Sequence, residues 1–228
     1  MKRKLAAMFM ALSLAAGLLA GCGSKEGGSG NQGDKVYKIG VIQLTEHPAL
    51  DAAYEGFVEG LKEAGYEEGK NIKIDYQNAQ GEQSNCLTIA DKFVNDGVDL
   101  ILAIATPAAQ AMASKTTTIP ILVTAVTDPA SSGLVDSNEK PGGNVSGTSD
   151  LTPVKEQIDL LRELIPDAKN VGILYCSAED NSKFQANLAL DALKALSMTG
   201  EEYTFSTLDE IQTVVGSMKG KVDAIYVP

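Results

Sequence analysis

Polar side chains follow several strand-like runs of this sequence, at positions where they could hold a small charged solute. The candidate binding residues are Gln43, His47, Thr106, Pro107, Ala108, Thr127, Asp128, Ser177, Asn181 and Ser182. Pro107 and Ala108 are included because they directly follow Thr106. Hydroxyl, amide, carboxylate and imidazole groups hydrogen-bond the carboxylate and ammonium groups of small ligands. In a parallel α/β sheet such positions gather at the carboxyl edge, where helix N-termini also point. The pattern therefore predicts ligand binding at that edge.

Two of these residues have candidate roles as partners of charged groups on a ligand. Thr106 lies at the start of a predicted helix, so its hydroxyl and the N–H groups of Ala108 and Ala109 could hold a carboxylate. Alternatively, Thr106 only caps its own helix. Asp128 could pair with an ammonium group, or it could only begin an Asp-Pro turn. The residue types alone leave both pairs of interpretations open.

Catalytic groups are scarce. The chain has 1 histidine, 3 cysteines and no tryptophan, too few for a metal cluster, a disulfide framework or a convincing His-based triad. His47 directly precedes Pro48 at a predicted helix start, so a role there is favoured over that of a catalytic base. Cys86 and Cys176 are interpreted as two small buried thiols. We expect no enzymatic activity, no metal and no cofactor.

Composition and charge narrow the class of partner. The 228 residues include 19 Lys+Arg and 30 Asp+Glu, a formal net charge of −11, which argues against a nucleic-acid partner. With 44% hydrophobic residues the chain is long and apolar enough to bury a core, as one large domain or two small ones.

Strand-like and helix-like segments alternate from residue 36 onward. The predicted strands lie at 38–44, 71–77, 99–105, 119–126, 170–175, 202–206 and 222–227. The predicted helices lie at 48–64, 82–95, 107–115, 153–164, 181–197 and 209–219. Between them, residues 128–150 are rich in Pro, Gly and Ser and are predicted as a loop with a short crossover strand at 145–149.

This alternation predicts an α/β fold with mainly parallel sheets. We expect two Rossmann-like lobes joined by a hinge, the first over residues 36–148 and the second over 149–228. Few strands are predicted in the second lobe, fewer than a covered parallel sheet usually has. The second lobe is therefore expected to be incomplete, and the chain is expected to be a truncated product.

The N-terminal residues have the pattern of a bacterial lipoprotein signal. A cationic start at 1–4 precedes an apolar run at 5–19 and small residues before Cys22. We predict a signal peptide over 1–21, lipidation (palmitate) at Cys22 and a flexible Gly/Ser-rich tether over 22–35. The mature protein would be lipid-anchored at the extracytoplasmic face of the cell membrane. An N-terminal anchor helix with an incidental Cys22 is the alternative.

Six segments in order resemble a known family. They are HPALD at 47–51, GFVEGL at 56–61, NAQG at 78–81, ATPAAQ at 105–110, AVTDP at 125–129 and KPGGNVSG at 140–147. These segments closely resemble the ABC-transporter substrate-binding lipoproteins that include the tryptophan- and phenylalanine-binding members. The resemblance covers residues 38–228.

The resemblance implies a periplasmic-binding-protein-like fold of type I. Its two lobes would close on a small-molecule ligand, here an aromatic amino acid, and hand it to an ABC transporter permease. It implies binding without chemistry, no cofactor, and a monomer held to the membrane by its N-terminal lipid.

Other functions stay open at this stage. A different small solute, such as an aliphatic amino acid or a nucleoside-like compound, would fit the same fold. An extracytoplasmic enzyme is less favoured because catalytic groups are scarce. A response-regulator or sugar-sensing domain is disfavoured by the signal peptide and by the absence of a DNA-binding segment from the sequence.

Overall fold

The computed structural model describes residues 35–228. The predicted signal peptide, Cys22 and nearly all of the predicted tether lie outside the described residues. Within the described part of the chain, no helix has both the length and the apolar character needed to cross a membrane.

The first part of the described chain forms a five-stranded parallel sheet. Its strands are β1 (Tyr37–Gln43), β2 (Ile72–Asn78), β3 (Leu100–Ile104), β4 (Ile121–Val126) and β5 (Val145–Ser149). Their spatial order is β2-β1-β3-β4-β5, with every pair parallel, so the carboxyl ends lie at one edge. The central strand β3 is apolar throughout because helices cover both of its faces.

Helices cover the two faces of this sheet. They are α1 (Pro48–Glu63), α2 (Gln83–Asp96) and α3 (Thr106–Ala113). Tyr54 and Phe57 of α1 pack against one face, and Phe93 of α2 and Met112 of α3 pack against the other. Gly40 lies where Phe93 crosses β1, and a Cβ atom at this position would be 2.7 Å from the aromatic ring. Glycine is therefore needed for α2 to approach the sheet. This sheet and these helices form the first lobe.

The predicted crossover strand is present as β5. It pairs in parallel with β4 and is the edge strand of the first sheet. Asn144 Nδ2 donates to Ile119 O at 2.7 Å and so holds the start of β5 beside the start of β4. After β5 the chain passes through residues 150–153 to the next helix.

The second lobe has a three-stranded parallel sheet in the order β7-β6-β8. Its elements are α4 (Val154–Leu164), β6 (Asn170–Cys176), α5 (Asp180–Ala195), β7 (Thr199–Phe205), α6 (Ile211–Met218) and β8 (Ala224–Tyr226). Ile158 of α4 and Leu193 of α5 pack with Ile173 on one face. Met218 of α6 packs with Leu174 on the other face.

The predicted α/β fold with parallel sheets is confirmed, and differences are confined to the ends of elements. β7 begins at Thr199, earlier than its predicted start at 202, because Thr199 pairs in register with Asn170 of β6. The helix predicted at 209–219 is divided into a 3₁₀ turn, Leu208–Glu210, followed by α6.

Candidate ligand-binding cleft

A cleft of about 620 Å³ lies between the two lobes, at the carboxyl edges of both sheets. Its lining residues follow β1 and β2 in the first lobe and come from the ends of β6, β7 and β8 in the second. They include Thr45, Gln80, Glu82, Leu174, Tyr175, Cys176, Glu179, Ser182, Phe205, Ser206, Thr207 and Asp209. Cavities of this size are typical of sites for small molecules.

The charged groups of the lining are all carboxylates. Glu82 comes from the first lobe, and Glu179 and Asp209 come from the second. Among the described residues that line the cleft, none is Lys, Arg or His. A surface of this sign favours a ligand with a positive group. Any negative group of the ligand must therefore bind to neutral donors.

Helix N-termini supply such donors. Helices α2 and α5 begin directly after Glu82 and Glu179, and neither glutamate side chain caps the helix that follows it. The first N–H groups of a helix have no partner within the helix and are partially positive. In α5 these groups belong to Asp180, Asn181 and Ser182, and Ser182 itself lines the cleft. The second lobe can thus hold a carboxylate without a basic side chain.

Thr106 is the first residue of α3, so the prediction that its hydroxyl caps the helix is wrong. Ala105 occupies the N-cap position instead. Thr106 Oγ1 is buried and has no hydrogen-bond partner within the described chain. The Ala109 N–H is also unsuited to a ligand, because it donates to Ala105 O at 3.1 Å. The Ala108 N–H has no acceptor among the described backbone carbonyls. The side chains of Pro107 and Ala108 are buried.

Two non-glycine residues with positive φ lie at the carboxyl ends of neighbouring strands. Ala105 after β3 has φ 83° and ψ 151°, and Ala125 at the end of β4 has φ 52°. The conformation of Ala105 lies in a region that glycine almost alone adopts. Strained residues of this kind cluster at functional sites. Ala105 occupies this conformation at the point where the chain passes from β3 into α3.

Gln43 is fully buried at the end of β1. Its Nε2 donates to Thr45 O at 2.8 Å and to Asp51 Oδ1 of α1 at 2.7 Å. Both neighbours are acceptors, which fixes the orientation of the amide. Its Oε1 is left buried with no partner in the described chain. Gln43 therefore ties β1 to α1 and keeps one free acceptor.

His47 is the N-cap of α1. Its Nδ1 accepts a hydrogen bond from the Ala49 N–H at 3.2 Å, and Pro48 occupies the first turn. The side chain is exposed. His47 therefore has the structural role at the helix start that the sequence favoured.

Asp128 organises the turn that follows β4. Its Oδ1 accepts the Ser131 N–H at 2.6 Å, and its Oδ2 accepts Asn138 Nδ2 at 2.8 Å. The hydrogen bond from the Ser131 backbone N–H is the largest cause that lowers the pKa of this carboxyl below its ordinary value. Asp128 therefore begins a turn, as one of the two interpretations of the sequence has it. Next to it, Thr127 is buried, and its carbonyl accepts Ser149 Oγ at 2.5 Å.

The candidate residues of the second lobe lie around the start of α5. Ser177 Oγ donates to Phe205 O at 3.2 Å and so links the ends of β6 and β7. Ser182 Oγ donates to Glu179 Oε2 at 3.2 Å. Asn181 Oδ1 is buried with no partner in the described chain. Ser182 lines the cleft, so a ligand there can reach the first turn of α5.

Cys86 and Cys176 are both free thiols. Cys86 is buried, and burial raises the pKa of its thiol to about 11. Cys176 is only half-buried and lines the cleft, so the prediction of two buried thiols is wrong for Cys176. Its position at the end of β6, facing the other lobe, explains the difference.

Of the candidates predicted from the sequence, only Ser182 lines the 620 Å³ cleft directly. Thr106, Ala108, Asn181 and Gln43 supply unpaired polar groups close to the carboxyl edges. The sequence analysis missed the residues that follow β2 and β7. These are Gln80, Glu82, Ser206 and Thr207. The same strand-end argument, applied to the second strand of each lobe, would have found them.

The two lobes also make contact beside the cleft. Gln83 Nε2 at the start of α2 donates to Ala178 O at 3.0 Å. Gln110 Nε2 of α3 donates to Asp180 Oδ2 at 3.1 Å. Both contacts reach the segment that leads from β6 into α5.

Residues 38–228 match the family model of the ABC transporter substrate binding proteins. The chain belongs to this family. In this substrate-binding protein the matched range contains nearly all of both sheets and every residue of the cleft lining.

Relatives of this substrate-binding protein agree with that assignment. It is 43% identical over 232 residues to a tyrosine-binding protein of Clostridioides difficile, covering 99% of this chain and 67% of that protein. It is 43% identical to a Streptococcus pneumoniae domain solved in complex with L-Trp, covering 85% of this chain and 65% of that one, with a TM-score of 0.81. The chain thus spans about two thirds of the length of these relatives.

A third relative differs in structure more than in sequence. The ligand-free, open structure of a substrate-binding protein with adhesive properties from Clostridium difficile is 46% identical, covering 85% of this chain and 65% of that one, but its TM-score is only 0.60. The two solved relatives are similarly close in sequence. The overall structure of this substrate-binding protein is therefore more similar to that of the L-Trp complex than to that of the open structure.

Proposed function

We propose that this chain is the extracytoplasmic solute-binding component of an ABC importer, which binds an aromatic amino acid between its lobes and delivers it to the permease. The main support is the cleft of about 620 Å³ at the carboxyl edges of both sheets. The high TM-score with the L-Trp complex and the identity to a tyrosine-binding protein favour the same class of ligand.

The carboxylate of the amino acid is assigned to the start of α3. Thr106 Oγ1 and the Ala108 N–H are the donors there that lack partners within the described chain. In the second lobe, Asn181 in the first turn of α5 is a further polar residue with a side-chain atom that lacks a partner within the described chain. Hydrogen bonds to a charged group contribute about 1.5–3 kcal/mol each, so two or three such bonds are enough to orient the ligand.

The ammonium group is assigned to the carboxylates of the lining, with Glu179 as the main partner and Glu82 facing it from the first lobe. Asp128 is the partner predicted from the sequence. It is the weaker candidate because both of its oxygens already accept hydrogen bonds within its own turn.

The aromatic ring is assigned to the apolar part of the cleft. Phe205, Leu174 and Leu44 line it, and Tyr175 lies beside them. Stacking on an aromatic side chain adds about 0.5–1.5 kcal/mol to the gain from burying the ring. An aliphatic side chain would lose that contribution.

In this proposal the protein binds its ligand without changing it. The lobes enclose the solute, and the closed form is the one presented to the permease. The protein acts as a monomer without a cofactor, and the lipid on Cys22 keeps it at the membrane surface.

Isothermal titration calorimetry of the purified chain tests the proposal. L-Tyr, L-Trp, L-Phe, L-Leu and adenosine are titrated in turn, and mass spectrometry checks that each is recovered unchanged. We expect the three aromatic amino acids to bind most tightly. Binding of L-Leu or adenosine alone would indicate another solute, and conversion of any compound to a product would indicate an enzyme.

Variants locate the ammonium site. Glu179→Gln keeps the shape of the side chain but removes its charge, so we expect the affinity for the best ligand to fall about tenfold, or 1.4 kcal/mol. Glu163→Gln on the exposed face of α4 is the matched control and is expected to leave the affinity unchanged. Equal affinities for the wild type and Glu179→Gln would remove Glu179 from the site.

A further inference from the structure

We propose that Gln110 is a positioning residue that holds the two lobes together when the cleft is closed. It does so as part of a clasp formed by Gln83, Gln110, Ala178 and Asp180. This inference rests on the proposed function, since closure has a purpose only if a solute is captured. None of the four clasp residues is among those that line the cleft, so the clasp acts on closure and not on the ligand itself.

Two glutamine side chains of the first lobe reach one short segment of the second. Gln83 Nε2 donates to Ala178 O at 3.0 Å, and Gln110 Nε2 donates to Asp180 Oδ2 at 3.1 Å. Ala178 and Asp180 flank Glu179, which lines the cleft. Separation of the lobes at this point must break both hydrogen bonds and withdraw Glu179 from the ligand.

Gln110 is held in position by its own lobe. Its Nε2 also donates to Ser132 O at 3.2 Å. Ser132 lies in the turn that Asp128 organises through the Ser131 N–H. A glutamine amide has two N–H donors, so one is used within the first lobe and the other crosses to Asp180. An interaction between groups that are already oriented costs less conformational entropy when it forms.

The Gln110 contact is the stronger half of the clasp. Its acceptor is the Asp180 carboxylate, and a hydrogen bond to an ionised acceptor is roughly twice as strong as one between neutral groups. Gln83, Ala178 and Asp180 are all exposed, so water competes for both contacts, but Gln110 is half-buried and only its acceptor is a carboxylate. We therefore assign most of the effect to Gln110 and Asp180.

The clasp predicts a specific kinetic effect. Its hydrogen bonds exist only when the lobes are together, so they oppose opening and ligand release but do not affect the first encounter with the ligand. Gln110→Ala is expected to raise the dissociation rate constant about fivefold and to leave the association rate constant within about twofold.

The chain has no tryptophan, so the fluorescence of L-Trp can be followed without a signal from protein tryptophan. Stopped-flow measurements compare the wild type with Gln110→Ala, Asp180→Ala and the double variant. Gln110→Lys is included because a lysine amine can still donate to Asp180 and Ser132. Gln212→Ala, an exposed glutamine of α6, is the control. Small-angle X-ray scattering of the same proteins gives the radius of gyration with and without L-Trp.

The clasp predicts that the two single variants release L-Trp faster, that the double variant releases it no faster than either single variant, and that Gln110→Lys behaves like the wild type. It also predicts a larger radius of gyration for Gln110→Ala. Additive effects of the two single substitutions, or dissociation rates and radii equal to those of the wild type, would overturn it.

Failure of the proposed function is distinguishable from failure of the clasp. If the wild type binds none of the amino acids, the proposed function is wrong. Small-angle X-ray scattering of the ligand-free proteins then tests the clasp. A larger radius for Gln110→Ala than for the wild type and Gln110→Lys would support it. Equal radii for all three would refute it.

Discussion

Lys38 and Asp99 exchange two hydrogen bonds where β1 and β3 begin. The Lys38 N–H donates to Asp99 Oδ2, and the Asp99 N–H donates to Lys38 O, both at 2.8 Å. In the second lobe, Asp223 accepts the N–H groups of Lys169 and Asn170 at 2.9 Å and donates its own N–H to Asn170 O at 2.8 Å. Each aspartate precedes the strand that pairs with the first strand of its sheet. In each lobe, an aspartate thus aligns the first strand of the sheet with the strand that follows the aspartate.

Asp223 makes the second lobe sensitive to acid. The N–H groups of Asn170 and Lys169 lower its pKa below the ordinary value. Its stabilising contribution is therefore complete above the pKa of the unfolded chain, about 4, and is lost as the pH falls through the lower pKa of the folded protein. We expect Asp223→Asn to lower the melting temperature at pH 7, and to lower it less at pH 3.

Thermal unfolding followed by circular dichroism at both pH values checks this prediction. Asp167→Asn, at an exposed position before β6, is the control and is expected to leave the melting temperature unchanged at each pH. A destabilisation by Asp223→Asn that is as large at pH 3 as at pH 7 would mean that the charge of Asp223 is not what aligns the strands.

Much of the fold was predictable because the hydrophobicity of the residues and its periodicity are local properties of the sequence. The apolar run of β3 and the helical face of α1 through Tyr54 and Phe57 indicate their elements without any tertiary information. The start of β7 was not predictable in this way. Thr199 joins the strand only because it pairs with Asn170.

The site was predictable only in outline. The rule that strand ends face the ligand led to Ser182 and to the start of α3. It could not indicate that Ala105 has a positive φ and takes the cap position from Thr106. Nor could it pair Gln110 with Asp180, which are 70 positions apart in the chain and meet only when the lobes are together.

Thr106→Val separates the binding role of Thr106 from a structural one. The Thr106 hydroxyl is buried and unpaired within the described chain, and such a group costs free energy in the folded state. Removing it should leave the free energy of unfolding unchanged or raise it by up to about 1 kcal/mol. If the hydroxyl binds the ligand carboxylate, the dissociation constant for L-Trp should rise about tenfold.

Thr116→Val is the matched control for that experiment. Thr116 is also buried, but its Oγ1 accepts the N–H groups of Thr118 and Ile119 at 3.2 and 3.1 Å. We expect this substitution to lower the free energy of unfolding by about 1–2 kcal/mol and to leave L-Trp affinity unchanged. Urea denaturation and calorimetry measure the two quantities. Normal affinity in Thr106→Val would exclude the hydroxyl from the site.

Ala105→Gly should stabilise the protein. Ala105 has φ 83° and ψ 151°, and a non-glycine residue in this region costs on the order of 1–3 kcal/mol. Glycine removes the steric part of that cost, although it adds entropy to the unfolded chain. We expect a net gain of about 1 kcal/mol in the free energy of unfolding, measured by urea denaturation.

The control for backbone strain lies in the same helix. Ala111 of α3 is in a regular helical position, so Ala111→Gly is expected to lower the free energy of unfolding by about 1 kcal/mol or more. Opposite signs for the two Ala→Gly substitutions would establish the strain at Ala105. Destabilisation by both would show that the turn into α3 is relaxed.

Asp128→Asn distinguishes the two roles considered for Asp128. Asparagine keeps an acceptor for the Ser131 N–H and is well suited to this kind of turn, but it has no charge. We expect the dissociation constant for L-Trp to change by less than about threefold, because the hydrogen bonds to Ser131 and Asn138 already account for both carboxylate oxygens. A tenfold loss, measured by calorimetry, would instead identify Asp128 as the partner of the ammonium group.

Asp128→Ala gives the complementary result. Alanine removes both acceptors and should loosen the turn that presents Ser132 O to Gln110. Ligand release should then accelerate as it does in Gln110→Ala, and the two substitutions together should have no larger effect than either alone. This pattern of rates would make Asp128 a support of lobe closure, because a residue that bound the ligand directly would add its own loss of affinity to that of Gln110→Ala.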